Sequence, residues 1–195
     1  VAALEDVADR APSAPALIFG ESLAAATPTV QSLSYSDTHA RANRLARYLI
    51  SRGVKPDDLV CVCMDKSIEL YVTILGVLKA GAGYLPLLPD TPKERLVSIL
   101  EQTKPKLFLC DGSVSYDIRS GVESELTDLS KTDLANFASE SLKLPYHGSH
   151  AAYSIFTSGS TGMPKGLVVT QDNLLGNLSA LADIYPVKPG DRLLQ

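Results

Sequence analysis

Between residues 59 and 110, short apolar runs alternate with longer helical patterns, and this alternation limits the possible folds more than any other feature of the sequence. The runs at 59–64, 84–88 and 107–110 are strand-like. The segment 67–80 and a second one that begins after Thr91 have helical spacing. Strands that alternate with helices are joined by crossover connections, which produce parallel sheets. We therefore predict an α/β fold with a largely parallel sheet and flanking helices.

Both of these helices have recognisable ends. Gly81 is expected to end the first helix, because glycine readily adopts the left-handed conformation found there. Thr91 is expected to cap the second helix, with Pro92 at its first position and Glu94 completing a capping box. The apolar residues predicted to share one face of the first helix are Ile68, Tyr71, Ile74, Leu75 and Leu78.

The residues before 59 are expected to add two short strands and one helix. The strands are predicted at 16–19 and 33–35. The helix is predicted to begin at a Ser36 cap, to run to Arg52 and to end at Gly53. Its core-facing residues would be Ala42, Leu45, Ala46 and Leu49.

Charge is concentrated in one part of the chain. Residues 111–149 contain seven acidic and three basic residues, which account for the whole net charge of −4. Elsewhere acids and bases balance, so no basic stripe is left to hold a polyphosphate backbone and no nucleic-acid partner is expected. Arg41, Arg44 and Arg47 follow helical spacing, and we interpret them as a solvated helix face. We predict that residues 111–149 form a polar surface excursion with one short helix.

The composition, 45% hydrophobic and 21% charged, is typical of a soluble globular protein. The longest mostly apolar run, 71–78, is far shorter than the roughly 20 residues of a membrane span, so no membrane partner is expected. Cys61, Cys63 and Cys110 each lie in a strand-like run. An odd number of cysteines without an extracellular signal favours buried thiols in a reducing compartment, and a cytoplasmic location.

No metal site is predicted from the sequence. Cys61 and Cys63 would point to the same face of a strand, but two thiols without a nearby pair of histidines are too few ligands. The three histidines, His39, His147 and His150, are scattered along the chain and form no convincing ligand set.

Residues 154–166, which read SIFTSGSTGMPKG, are the most informative segment. Strands predicted at 153–156 and 167–169 flank a loop, and a helix predicted at 172–183 follows. The loop combines two glycines, three hydroxyls and one lysine: Gly159, Gly162, Ser158, Ser160, Thr161 and Lys165. Backbone amides that turn inward at glycines, together with hydroxyl donors and an ammonium group, could cradle an anion such as a polyphosphate. A polar hairpin turn with incidental hydroxyls is the alternative interpretation.

Three other glycine motifs do not fit. A P-loop opens a helix and has Gly before and Ser or Thr after its lysine, whereas Lys165 lies between proline and glycine and leads into a β-branched run. The Gly-x-Ser-x-Gly turn of hydrolases fails because position 158 is serine. The pair Gly81 and Gly83 lacks the third glycine of a dinucleotide-binding fingerprint and follows a helix.

TSGSTGMPKG, at 157–166, resembles the phosphate-loop signature of the AMP-forming, adenylate-forming superfamily. LSYSDTHARANRLARYLISRGV, at 33–54, and LKAGAGYLPLLPDTPKERLVSIL, at 78–100, are similar to the first and second core motifs of adenylation domains in nonribosomal peptide synthetases. Their order and spacing match, so the resemblance covers nearly the whole chain. It favours peptide synthetases over the acyl-CoA ligases and luciferases of the superfamily. The Leu-Pro-Asp at 88–90 is similar to fungal siderophore synthetases.

The resemblance implies amino-acid activation. ATP and an amino-acid carboxylate would give an aminoacyl adenylate and pyrophosphate, with Mg²⁺ at the phosphates. The phosphopantetheine thiol of a partner carrier domain would then take the acyl group. The implied partners are an amino-acid substrate, the remainder of the adenylation domain, and peptidyl carrier and condensation domains.

The same resemblance assigns roles to individual residues. Lys165 and Thr161 are the candidate catalytic residues. The residues that would wrap the phosphates of ATP, with Lys165 adding charge, are Thr157, Ser158, Gly159, Ser160, Thr161, Gly162 and Lys165. The loop at 158–164 is expected to be exposed and mobile without nucleotide, between two buried and firm strands.

Residues 1–195 are expected to be the N-terminal part of the large subdomain, and inactive alone. The family's amine-binding Asp, adenine-binding residues and C-terminal lysine would all follow Gln195. Two other functions stay open: an AMP-forming ligase for a fatty or aryl acid, and a nucleotide-binding module without catalysis.

Overall fold

The computed structural model describes residues 2–20, 30–113, 124–145, 147–157, 165–188 and 190–193. In chain order, the elements are α1 (Ala2–Arg10), β1 (Pro15–Gly20), β2 (Val30–Ser34), α2 (Tyr35–Ser51), β3 (Leu59–Cys63), α3 (Ile68–Lys79), β4 (Gly83–Leu87), α4 (Lys93–Thr103), β5 (Leu107–Cys110), β6 (Glu125–Asp128), β7 (Ala151–Thr157), β8 (Lys165–Thr170) and α5 (Gln171–Ile184). Among the described helices, not one combines enough length with enough apolar character to cross a bilayer.

A six-stranded sheet forms the centre of the molecule, in the order β6-β5-β3-β4-β7-β8. All neighbouring pairs are parallel except β7 and β8, which are antiparallel. β1 and β2 form a separate antiparallel pair. The predicted α/β fold with a largely parallel sheet is therefore confirmed.

Residues 111–149 are more than the predicted polar excursion. Glu125–Asp128 is a strand that pairs in parallel with β5 at the edge of the sheet, and a 3₁₀ turn follows at Leu129–Lys131. The sequence pattern missed this strand because ELTD carries only two apolar or β-branched residues, Leu126 and Thr127, and they are adjacent rather than alternating. Its pairing with β5, rather than its own pattern, makes it a strand.

The two faces of the sheet bury separate clusters. α2 and α3 cover one face, where Leu45, Leu49 and Val77 pack on residues of β3 and β5. α4 covers the other face, where Leu96 and Ile99 pack on a cluster that includes Phe108 and all three cysteines. Helices on both faces explain why β5 is buried along its whole length and β3 at every residue after Leu59.

The buried face of α3 differs from the prediction. Tyr71, Ile74, Leu75 and Leu78 are only partly buried, whereas Val72, Thr73, Gly76 and Val77 face the core. α3 is apolar around most of its circumference, so periodicity does not identify the inner face. The close approach of α3 to α2 identifies the inner face instead, because a Cβ built on Gly76 would lie 2.7 Å from Leu45 Cδ2.

Two predicted helix starts are also wrong. α2 is capped by Ser34, whose hydroxyl accepts from the Asp37 amide at 3.0 Å, so the helix begins before Ser36. α4 begins at Lys93 with Pro92 at the N-cap, one residue later than the predicted Thr91 cap, and Pro92 provides no side-chain cap hydrogen bond. The predicted ends of α2 and α3 are confirmed, because Gly53 and Gly81 follow these helices in the left-handed conformation, at φ +83° and φ +82°.

The three arginines of α2, Arg41, Arg44 and Arg47, do not form the predicted solvated helix face. Arg41 pairs with Glu69 of α3, and Arg47 donates to the carbonyls of Ala138 and Glu140. All three arginines are half-buried, because residues 132–145 cross over α2. The further contacts of this crossing are the Asn43 amide with the Ser139 carbonyl at 2.7 Å, and the Tyr48 ring edge-on to Phe137.

The three cysteines are buried free thiols, as predicted. Burial raises the pKa of Cys63 to about 12 and also raises the pKa values of Cys61 and Cys110. A thiol must ionise to act as a nucleophile, so these groups are protected both sterically and by protonation.

We expect the native chain at pH 8 to react with iodoacetamide at these cysteines on the order of 100-fold more slowly than the urea-unfolded chain. Mass spectrometry of tryptic peptides would measure alkylation at each site over time. Rapid modification of Cys61 without unfolding would contradict its burial between the sheet and α4.

A buried ionic cluster joins α1, α2 and α3. The Lys79 ammonium is 2% exposed, pairs with Glu5 at 3.0 Å and lies 3.3 Å from His39 Nδ1. Burial lowers the pKa of His39, and the neighbouring Lys79 charge lowers it further. A neutral imidazole with an unprotonated Nδ1 can accept from Lys79, so the folded state favours neutral His39.

Because the folded state lowers the pKa of His39 from its ordinary 6.5, the unfolded chain binds the extra proton more readily. The stability that His39 contributes is therefore complete above about pH 6.5 and is lost as the pH falls below that value. We expect the urea midpoint to decrease between pH 7.5 and 5.5, and to decrease less in a His39→Gln variant. Equal pH dependence in both proteins would contradict this role.

Candidate functional site

The hairpin formed by β7 and β8 carries the candidate site. Thr157, the last residue of β7, faces Lys165, the first residue of β8, across the antiparallel ladder. The intervening residues 158–164 lie outside the described part of the chain, so five candidate residues, Ser158, Gly159, Ser160, Thr161 and Gly162, and their expected mobility are not tested. The structure thus brings together the first and last residues of the predicted phosphate-binding set.

The topology puts this hairpin tip at one particular edge of the sheet. β7 runs parallel to β4, so Thr157 lies at the edge where the carboxyl ends of the parallel strands meet. Lys165 begins β8 at the same edge because β8 runs in the opposite direction. Ligands of open α/β sheets bind outside this edge, so the location fits a binding loop.

Contacts at the opposite end of β7 fix the strand in the sheet. The Asp57 carboxylate accepts from the Ala151 amide at 2.8 Å. A Cβ built on Gly83 would lie 2.8 Å from Ala151 Cβ, so β4 and β7 approach closely only because position 83 is glycine. Next to it, the rings of Tyr84 and Tyr153 are 5.6 Å apart.

Both described site residues are available to a ligand. The Thr157 and Lys165 side chains are exposed. Within the described residues, no ion pair involves the Lys165 ammonium. An exposed cation at one end of a loop, with a threonine hydroxyl on the facing strand, is suited to an anionic group.

Gly166 is a positioning residue that the sequence analysis used only to exclude a P-loop. It faces Phe156 across the hairpin, and a Cβ at position 166 would lie 2.8 Å from Phe156 Cζ. The aromatic ring thus occupies the space above the glycine, an arrangement that holds the register of the two strands. The sequence could have indicated this role, because a glycine directly before a β-branched run often marks a position where another group approaches the strand closely.

A helix cap marks the end of β8. Thr170 caps α5 through a reciprocal capping box with Asn173. The chain after Lys165 is therefore a strand followed by a helix, and the exclusion of a P-loop is confirmed.

The flanking strands are not both buried as predicted. In β8, Leu167 is 56% exposed and Val168 is 53% exposed. β8 is the edge strand, and the described elements leave this part of the sheet uncovered, since none of the residues of α5 is buried. Apolar composition alone could not distinguish an edge strand from a central one.

Comparison with known proteins adds independent information. A family model described as AMP-binding enzyme matches residues 4–195. Nonribosomal peptide synthetase 2 of Cochliobolus heterostrophus is 44% identical over 193 residues, which are 99% of this chain and 4% of that protein. Nonribosomal peptide synthetase sidC of Arthroderma benhamiae is 40% identical over 168 residues, which are 85% of this chain and 3% of that protein. The chain therefore spans a small part of the length of these relatives.

The fold is similar to that of solved structures. The AMPPNP-bound form of FmoA3, a nonribosomal peptide synthetase, matches with a TM-score of 0.82 and 28% identity. The match covers 97% of this chain and 19% of that chain. Nearly all of the chain thus has the arrangement found in part of a much longer enzyme.

Proposed function

This chain belongs to the AMP-binding enzyme family, and from that premise we propose that it is the N-terminal part of an amino-acid-activating adenylation domain in a nonribosomal peptide synthetase. The observation that carries the proposal is the Thr157–Lys165 pair at the ends of the 158–164 loop, at the carboxyl edge of the sheet. Two relatives named as nonribosomal peptide synthetases support it at 44% and 40% identity.

The proposed reaction is an AMP-forming ligation. An amino-acid carboxylate oxygen attacks the α-phosphorus of ATP, the bond to the bridging oxygen breaks, and pyrophosphate leaves with the electron pair. The resulting aminoacyl adenylate then transfers its acyl group to a thiol and releases AMP. Charge moves onto the leaving pyrophosphate, so donors held at that position stabilise the transition state most.

Lys165 has the clearest role among the described residues. Its ammonium group would approach the β- and γ-phosphates, where it offsets the charge that develops as pyrophosphate leaves. Thr157 would donate its hydroxyl from the other strand. The roles of Ser158, Gly159, Ser160, Thr161 and Gly162, which would close around the phosphates, rest on the sequence resemblance.

The implied Mg²⁺ would reduce the repulsion between the phosphates and the attacking carboxylate. In the part of the chain that the structure describes, no group of three or more His, Cys, Asp or Glu side chains could hold a metal ion. We therefore assign no protein ligand to Mg²⁺ in this chain and place it with the ATP phosphates.

The wider setting is part of the same proposal. The phosphopantetheine thiol would come from a peptidyl carrier domain, and a condensation domain would use the thioester. The remainder of the adenylation domain would supply the amino-acid pocket. A fungal siderophore as the product, and the cytoplasm as the location, are consistent with the sidC relative and with three free buried thiols. A ligase for a fatty or aryl acid and a nucleotide-binding module are the competing functions.

The test is exchange of labelled pyrophosphate into ATP. A protein that contains the complete adenylation domain should catalyse exchange that depends on one amino acid, whereas the 195-residue chain alone should show none above background. Exchange that depends only on fatty or aryl acids would show that the substrate is such an acid rather than an amino acid. Nucleotide binding by the complete domain, without exchange for any acid, would favour the non-catalytic module.

A further inference from the structure

A second pocket lies away from the hairpin, between α2, α3 and the segment that follows β6. Its volume is about 620 Å³, within the range of roughly 300–1,000 Å³ that is typical of small-molecule sites. Met64 and Ser67, which follow β3, line one side, and Asp111, which follows β5, lines another. The pocket therefore opens at the carboxyl ends of two adjacent parallel strands.

The topology explains why a crevice forms there. β4 and β5 lie on opposite sides of β3. The chain leaves β3 through α3 toward β4, and it leaves β5 in the other direction toward β6. The connections thus diverge above the boundary between β3 and β5, which is where open α/β sheets bind ligands. β4 separates this boundary from β7, so the pocket is distinct from the phosphate-loop site.

The pocket wall is largely apolar. Buried or partly buried side chains from both helices, from the residue after β3 and from the segment after β6 form it: Leu45, Met64, Val72, Leu129 and Leu134. Contact with such a wall would favour a ligand with a compact apolar body.

Arg44 gives the pocket a specific polar group. Among the described residues, no acceptor pairs with its buried Nε, although an unpaired buried donor is costly. The other charges on the rim already have partners: Arg41 pairs with Glu69, and the Asp111 Oδ1 accepts from the Ser113 amide at 3.1 Å. Of the two arginines that line the pocket, Arg44 is therefore the one that makes no ion pair with a described carboxylate.

We propose that this pocket binds a small molecule with an apolar body and one carboxylate group, and that the carboxylate lies against the Arg44 guanidinium. A planar guanidinium offers parallel donors that match a carboxylate, and the interaction strengthens where water is excluded. The apolar body lies on the wall formed by α2, α3 and the 129–135 segment. This site needs neither ATP nor the hairpin, so it is independent of the proposed ligase activity.

Equilibrium dialysis of the full-length synthetase with radiolabelled 4-phenylbutyrate, without ATP, tests the proposal. We expect saturable binding that Arg44→Gln weakens about tenfold or more, as expected for loss of one charge-assisted contact. The neutral analogue 4-phenylbutanol should bind about tenfold more weakly than the acid. Ala135→Trp, a change at an exposed position on the pocket rim, should block the same binding by filling the entrance.

Arg95→Gln on α4 is the matched control, because Arg95 is exposed on the opposite side of the sheet. It should leave binding unchanged. Equal binding by the wild-type and Arg44→Gln proteins, or equal affinity for the acid and the alcohol, would overturn the proposal. So would binding that survives Ala135→Trp, since that result would locate the ligand elsewhere. The pyrophosphate exchange assay, run on the same variants, separates this outcome from any failure of the proposed ligase function.

Discussion

Replacing Lys165 by alanine in the complete synthetase should slow adenylate formation by about 100-fold, while the affinity for the amino acid changes little. The reason is that the Lys165 ammonium would meet the phosphates, where charge moves in the transition state, rather than the amino-acid side chain. Loss of one preorganised donor typically costs about 10²–10³ in rate. Single-turnover formation of the adenylate at saturating ATP and Mg²⁺ would measure the effect.

Thr161→Ala should change the reaction in the same direction. Lys55→Ala is the matched control, because Lys55 is exposed and precedes β3, at the sheet edge opposite the hairpin tip. If Lys165→Ala and Thr161→Ala both formed adenylate at the wild-type rate, the phosphate-loop assignment would be wrong. A large rise in the amino-acid KM with normal single-turnover rates would mean that Lys165 contributes to amino-acid binding rather than to adenylate formation.

Replacing Phe108 by alanine should lower the free energy of unfolding by about 3–5 kcal/mol. Among the described residues, Phe108 is the largest fully buried side chain, and it lies in β5, facing α4. Its removal leaves a cavity that neither the sheet nor α4 can close without distortion. Because domains are stable by only about 5–15 kcal/mol, the variant should unfold at a much lower urea concentration.

Leu88→Ala provides the comparison. Leu88 follows β4 and is 64% exposed, so its truncation should change the unfolding free energy by no more than about 0.5 kcal/mol. Urea titrations followed by circular dichroism would give both values. A loss of less than 1 kcal/mol for Phe108→Ala would mean that the cluster beneath α4 is loosely packed, contrary to its complete burial.

The candidate site was predictable in composition but only partly in geometry. The glycines, hydroxyls and lysine of 157–166 predict a phosphate-binding loop from sequence because the needed donors occur together. The facing positions of Thr157 and Lys165 depend on the β7–β8 register. That register in turn depends on the Phe156 ring above Gly166, a contact between residues ten positions apart.

The arginines of α2 show why spacing alone gave the wrong environment. Helical periodicity correctly grouped Arg41, Arg44 and Arg47 on one side of the helix. It could not show that residues 132–145 cross that side, because the crossing segment has little pattern of its own. Hydrogen bonds from Arg47 to backbone carbonyls more than ninety residues away hold it there.

The sequence by itself determined the alternation of strands and helices and the parallel sheet, and it predicted a phosphate-binding loop from composition. These features follow from local periodicity, from turn residues such as Gly81, and from the steric rule that strand–helix–strand units form parallel pairs. Only the tertiary structure decided that 125–128 joins the sheet, that α3 turns Gly76 toward α2, that β8 lies at the edge and that Arg44 borders a pocket. Each of these depends on which surfaces meet across long separations in sequence, and the pattern of a single segment does not encode its partners.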